Sequence, residues 1–394
     1  VTVPAARGSW PAIACNKVLL PAPLGPTRAV RLPGSSEKLT SSRARTAPRL
    51  TLRWETASAM APVLARPRPF SQRGMVLVSL ALAAGSVAGC HPQRPAKAPS
   101  ASTSRVIVAA DGVLCDLGRT LVQSAAKVVC LVPPGEDPHG LRLTPQQRAQ
   151  MAAAQRVYIN GYGLTPALAN WPGAKPVAEL AVPTSPLLNP GQQVRAGQQV
   201  RDPHVWHDLR QSQAMVTWLA QDLGEALPSQ AASITRRAKA MNALLEELDH
   251  WNRVQFATIP SAPAGTPAVI ASDHRGFASL ARAYGLQEIA VVDGESNSVS
   301  LRPESLLEAL HRLRQWHVRQ LFSETLPPSR ALARLSQLSG IGIAPKAVVA
   351  DGLAAEAPSL PATTIANTCA VSEGLGGRCD RPGAQAIATR WRAI

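Results

Sequence analysis

Asp-Pro-His occurs twice in this chain, at Asp137-Pro138-His139 and at Asp202-Pro203-His204. Proline bars the residue before it from the α region and fixes its own φ, so each histidine follows a stiff, extended turn. A side chain held in this way suits a preorganised ligand, and neutral imidazole is the commonest protein ligand for a metal ion. Asp137, Asp202 and Asp208 stand near enough in sequence to orient the rings from behind. The chain has only 8 histidines. Two of them in the same turn predict one shared ion, and the fold must bring both turns to a single point.

A chain of 394 residues has room for two domains with real cores. Its net charge of +16 would fit a nucleic-acid partner, but the charge is uneven. Residues 1–90 carry 12 Lys and Arg against two acids, Glu37 and Glu55. Most of the basicity therefore lies in a stretch expected to be absent from the working protein, and no nucleic-acid partner is expected.

Residues 1–59 are rich in Pro, Ala, Arg and Ser without an apolar period, and read as upstream translation or disordered chain. From Met60 the order is that of a secretion signal, over 60–90. Arg66, Arg68 and Arg73 form the basic region, and 75–87 is a short apolar run. Val87-Ala88-Gly89-Cys90 is a lipobox. The apolar run is too short for a stable membrane span. Cys90 is expected to become a lipidated N-terminus, with 91–104 as a flexible tether. This places the mature protein in the periplasm or cell envelope, anchored to the membrane by lipid. The remaining cysteines, Cys115, Cys130, Cys369 and Cys379, are even in number, as an oxidising compartment favours. Cys369 and Cys379 flank a Gly-rich loop, Cys115 and Cys130 flank one predicted helix, and each pair is a candidate disulfide. No C-x-x-C spacing supports a cysteine zinc site.

Strands and helices alternate from residue 105 onward, which predicts parallel α/β sheets. In the first half, strands are expected at 105–110, 128–132, 156–160 and 175–180. Helices are expected at 117–126 and 144–154, the latter with Pro145 at its first position. The polar loop 187–203, with its Gly-Gln-Gln-Val-Arg repeat, is assigned no chemistry. Two helices follow, at 212–227 and 231–258. In the second, Ile234, Ala238, Met241, Leu244, Leu245, Leu248, Trp251 and Val254 recur at three and four, and the long helix reads as a stiff backbone. The second half repeats the alternation, with strands at 268–271, 288–292, 318–323 and 346–350 and helices ending at Tyr284, Gln315 and Leu338. The predicted organisation is an N-terminal α/β lobe at 105–227, a linking helix at 228–259 and a C-terminal α/β lobe at 260–394. His250, His311 and His317 read as surface or packing residues.

Four candidate ligands fall at strand ends or adjoining loops, where sites in such sheets form: His139, His204, His274 and Asp351. Two come from each lobe, so the site lies between lobes. The surrounding motifs resemble the zinc/manganese solute-binding proteins of bacterial ABC importers (cluster A-I). The resemblance spans roughly 106–351. It rests on Pro133-Pro134-Gly135-Glu136-Asp137-Pro138-His139, Asp202-Pro203-His204-Val205-Trp206, Ser272-Asp273-His274 with Ala281-Arg282-Ala283-Tyr284-Gly285-Leu286, Phe322-Ser323-Glu324 and Val348-Val349-Ala350-Asp351. It implies two α/β lobes joined by one long rigid helix, a metal held by those four residues, an ABC permease as partner, and a monomer that is not an enzyme. The chain departs from the family at several points. Trp-Leu-Asp-Pro becomes Trp206-His207-Asp208-Leu209, and His-Asp-Ala-Phe becomes His274-Arg275-Gly276-Phe277. The His-rich loop is missing, and no last helix is clear beyond Asp351.

Three imidazoles and one carboxylate suit zinc, whereas manganese prefers more oxygen. Mn²⁺ is the alternative within the same importer class, and the Irving–Williams order leaves copper and nickel open. A rival of another class is a secreted zinc-dependent hydrolase, which needs three ligands and an open water position. Here Asp351 is expected to close the site, and neither H-E-x-x-H nor G-x-S-x-G occurs. A metal-free surface lipoprotein would take up no zinc. With histidine ligands, binding is expected to weaken as acid passes through about pH 6–7.

Overall fold

The computed structural model describes residues 105–186, 201–261, 265–291 and 303–394. The expectations for 1–59, the 60–90 leader with Cys90, the 91–104 tether and most of the 187–203 loop lie outside the described residues.

Four parallel strands build the first sheet: β1 (Val106–Ala109), β2 (Lys127–Cys130), β3 (Arg156–Ile159) and β4 (Ala174–Pro176), in the order β2-β1-β3-β4. Side chains alternate between its faces. Ile107, Ala109 and Tyr158 join a large core with α1 (Gly112–Val122), α4 (Leu209–Ala226) and α5 (Ala231–Phe256). Val108, Val157 and Ile159 pack on the other face with Met151 of α2 (Pro145–Ala153). Helix α2 starts as its sequence predicts. Pro145 stands in the first turn, and Thr144 and Gln147 exchange side-chain-to-backbone bonds as a capping box. Helix α1 starts earlier than predicted, because the Asp111 carboxylate accepts Leu114 N–H at 2.9 Å and caps it. The expected strand 175–180 ends at Pro176, which has no N–H for a longer ladder, and turns into α3 (Val177–Ala181).

The second sheet is smaller: β5 (Val269–Ser272), β6 (Gln287–Ala290) and β7 (Leu321–Phe322), all parallel, in the order β6-β5-β7. Its helices are α6 (Ala278–Tyr284), α7 (Pro303–Gln315) and α8 (Arg330–Ser339). Helix α8 starts two residues past Pro328, where the Ser329 hydroxyl accepts Leu332 N–H at 3.1 Å. The segment 346–350, expected as a strand, joins no ladder.

Helix α5 has 26 residues, about 39 Å at 1.5 Å per residue. Seven of the eight positions in its apolar stripe are buried, and Val254 is 49% exposed. Its end reaches the second lobe, where Phe256 packs with Ile270 and Phe277. Beyond Asp351 the chain forms two helices that the sequence did not disclose, α9 (Leu360–Gly374) and α10 (Arg381–Arg392). Leu360, Cys369, Ile387 and Trp391 join the first core, whereas Ala370, Val371 and Leu375 join the second lobe's. Helix α9 packs on α5, so it backs the long linking helix and touches the cores of both lobes. Cys369 is bonded to Cys379 across the α9–α10 turn, and Cys115 to Cys130 between α1 and β2. Among the described residues, no helix is long and apolar enough to cross a membrane.

Candidate metal centre

His139, His204, His274 and Asp351 come together, with one donor atom from each lying within 4.8 Å of the others. The three rings stand 5.5–6.0 Å apart between centroids. Their Nε2 atoms surround the Asp351 carboxylate, at 3.1 Å for His139, 2.9 Å for His204 and 3.5 Å for His274. A tetrahedral ion with bonds of about 2.0–2.1 Å wants donors roughly 3.3 Å apart. The spacings to Asp351 already match.

Each ligand is delivered by a defined local structure. His139 follows β2 through a turn at Gly135, whose φ of 86° suits glycine. Gly135 N–H donates to Leu353 O at 2.8 Å, which ties this turn to the Asp351 loop. Asp137 accepts the His139 backbone N–H at 2.7 Å. His204 is gripped by Asp202, which is fully buried. One Asp202 oxygen meets His204 N at 2.9 Å and Nδ1 at 2.8 Å. The other accepts Ser279 N–H at 2.9 Å and the Ser279 hydroxyl at 2.8 Å, from the second lobe. Asp202 therefore fixes the His204 proton on Nδ1, leaves Nε2 free to ligate, and stitches the lobes together. His274 follows β5 and faces Glu324, which bonds its backbone and stands close behind its ring. Its N–H donates to Oε1 at 3.1 Å, and Nδ1 lies 2.6 Å from Oε2. Asp208 holds no histidine; it caps α4 by accepting Arg210 N–H at 3.1 Å and faces Arg282.

The ring nitrogens of His139 and His274 are buried without an aligned hydrogen bond. Carboxylate oxygens stand close to both Nε2 atoms but off the line a hydrogen bond requires. Such atoms are costly to leave unpaired in a protein interior. A cation placed among the four groups would satisfy both Nε2 atoms together, so the residues fit a metal ion.

The electrostatics agree. Burial pushes the Asp351 carboxyl up, but the three imidazoles gathered around it, His139 first, outweigh this and hold the group well below the usual carboxylate range. Burial pulls the His204 ring down, but Asp202 and Asp351 reverse this and raise it to about 9. His274 is likewise pulled down by burial and then raised to about 11 by Asp351 and Glu324. The site is built to hold positive charge. An incoming divalent ion competes there with ring protons.

His207, beside the site in sequence, is no ligand. Its Nε2–H donates to Ala350 O at 2.9 Å, and burial pushes the ring down to about 4, so it stays neutral. His250, His311 and His317 are exposed. Sequence reasoning missed Ser279 and Asn367. The Asn367 amide exchanges two 2.8 Å bonds with the backbone of Val349, two residues before Asp351.

Two α/β lobes joined by one long helix and closing on three imidazoles and a carboxylate define a metal-binding protein of the solute-receptor class. The chain matches the family described as zinc-uptake complex component A, periplasmic, over residues 107–371. It belongs to that family, which is defined by a binding component of an uptake complex and not by a catalyst. It is 25% identical over 210 residues to the metal-binding protein YtgA of Chlamydia trachomatis, covering 52% of this chain and 62% of that relative. It is 23% identical over 254 residues to the zinc-binding protein TroA of Treponema pallidum, covering 64% and 81%. It is 24% identical over 266 residues to the manganese ABC transporter substrate-binding lipoprotein PsaA of Streptococcus pneumoniae, covering 65% and 83%. Among solved structures, Fe(III)-bound YtgA superposes with a TM-score of 0.62 at 20% identity, covering 71% of this chain and all of the other. The periplasmic zinc-binding TroA gives 0.59 at 19% identity, covering 69% and 99%. These likenesses support the two-lobed fold.

Proposed function

We propose that this chain captures a divalent transition-metal ion, zinc in preference to manganese, and delivers it to an ABC permease for import. The observation that carries the reading is the convergence of His139, His204, His274 and Asp351 within 4.8 Å. Relatives are named for zinc and for manganese, and one is solved with iron(III), so the choice of metal rests on the donor set. Three neutral imidazoles and one carboxylate suit borderline-soft Zn²⁺, whereas Mn²⁺ favours more oxygen. With a fourth protein ligand the site is closed, which suits capture better than hydrolysis.

In this reading, the ion enters between the lobes, His204 and His274 give up ring protons as they bind, and Asp351 neutralises part of the charge. Asp202 and Glu324 hold their rings in the ligating orientation. Cys90 carries a lipid that keeps the receptor at the membrane near its permease, and the two disulfides brace it in an oxidising compartment. The long helix α5, backed by α9, favours small local rearrangement over wide hinge closure.

Calorimetric titration of metal-stripped protein tests this. Zinc is expected to bind one per chain and more tightly than manganese. His204→Ala is expected to weaken zinc by about 100-fold or more, in line with a variant that removes a ligand together with the group its orienting carboxylate holds. Equal affinity in the variant would contradict the assignment.

A further inference from the structure

The segment that carries Asp351 is held by an unusual set of partners. Val348 N–H donates to Ser323 O at 2.9 Å, beside β7. Val349 is clasped at both its N–H and its carbonyl by the Asn367 side chain of α9. Ala350 O is held from the other lobe by His207 Nε2–H at 2.9 Å. The carbonyl can only accept, so the ring proton is on Nε2. Each of the three residues before the ligand is thus fastened by a different element, and only the last fastening crosses between lobes.

His207 is well placed for this. It closes the single turn Val205–His207 that begins at the ligand His204. Its ring packs between Trp206 and Phe277, with centroids 5.5 and 5.1 Å away. The approach of Ala350 also depends on Gly276. A Cβ at position 276 would fall 2.5 Å from the Ala350 methyl and 3.3 Å from His274 Nε2. These are two of the places where the chain departs from the pattern it otherwise resembles: histidine at 207 and glycine at 276.

We infer that His207 is a positioning residue for the Asp351 ligand, locking the Ala350 carbonyl across the lobe interface in space that Gly276 leaves open. The inference rests on the metal-binding reading above and deepens it: the lock sets how long a captured ion stays. Without it Asp351 keeps its bonds within the second lobe, and the Leu353 carbonyl keeps its tie to Gly135 of the His139 turn, but the ligand loses its register against His204. The ion then departs more easily.

The test compares the wild-type full chain with four variants by zinc affinity, by zinc release into excess chelator, and by thermal unfolding without metal. His207→Leu removes the donor, and His207→Gln returns an N–H at a similar reach. Gly276→Ala crowds Ala350, and Gly276→Ala with Ala350→Gly removes that crowding. His207→Leu and Gly276→Ala are expected to release zinc about 10-fold faster and bind it about 10-fold more weakly, the lower end for loss of a group that orients a ligand. His207→Gln is expected to recover most of this loss. The double variant is expected to recover the part that comes from crowding Ala350 but not the part from the methyl beside His274 Nε2. A general loss of stability would not allow this pattern. Wild-type affinity and release in His207→Leu would overturn the inference while leaving the metal site standing. So would a loss in His207→Leu that His207→Gln fails to recover. Wild-type protein that takes up no zinc would overturn both.

Discussion

Asp202→Asn changes one atom of a buried carboxylate that both aims a ligand and joins the lobes. All four of its acceptor positions are used: His204 N and Nδ1 on one oxygen, Ser279 N and Oγ on the other. An amide must turn an NH₂ group toward one of these donor pairs. Facing Ser279, it leaves one buried backbone N–H unpaired, which costs about 1–3 kcal/mol, because the hydroxyl can rotate but the backbone cannot. The bond to His204 also falls from charge-assisted to neutral, a further loss of about 1 kcal/mol. Metal-free protein should therefore lose about 2–4 kcal/mol of stability, measured by urea unfolding. Zinc affinity should fall separately, by about 10- to 100-fold, because the ring loses its orienting anion; that is roughly 1.4–2.8 kcal/mol. Competition with a chromophoric chelator reads the second effect. A variant with wild-type stability and wild-type affinity would refute the reasoning that this carboxylate does both jobs.

Two further outcomes follow from the protonation of the site. The folded pKa of His204 is raised from 6.5 to about 9, so its contribution to stability is complete below about pH 6.5 and is lost as pH rises through 9. Asp351, held low, contributes above its ordinary value of 3.8 and loses that contribution as pH falls. Thermal unfolding of metal-free protein should therefore show falling stability between pH 6.5 and 9, and the zinc-loaded form should not; parallel curves would count against it. Zinc affinity should also keep climbing above pH 7, with proton release measured in buffers of different ionisation enthalpy. This places the acid-weakening range higher than free histidine predicts, and an affinity that levels off at pH 7 would oppose it.

Much of this molecule was legible in its residues. The Asp-Pro-His turns, the strand that ends at His274 and the 3.6-residue stripe of α5 each obey a local rule, and the structure places them accordingly. Helix α9 obeys none. It is buried on nearly every side, with Thr363, Thr364, Asn367, Thr368 and Ser372 as deep as Val371. An apolar stripe therefore never forms for periodicity to detect. The segment 346–350 failed for the opposite reason. Its apolar run looks like a strand, but only Val348 N–H finds a backbone partner in Ser323, and Val349 and Ala350 are held by the side chains of Asn367 and His207, which no local pattern announces. The role of Asp202 was half visible: its closeness to His204 could be read, but its grip on Ser279, 77 positions away, could not.

The account stands on three imidazole nitrogens and one carboxylate oxygen meeting at one ion. X-ray absorption at the zinc edge of protein loaded with one equivalent reads that shell directly. The expected spectrum is four light donors at about 2.0–2.2 Å with the multiple scattering of three imidazole rings, and no sulfur at about 2.3 Å. A six-oxygen shell without imidazole scattering, or a shell containing sulfur, would contradict it.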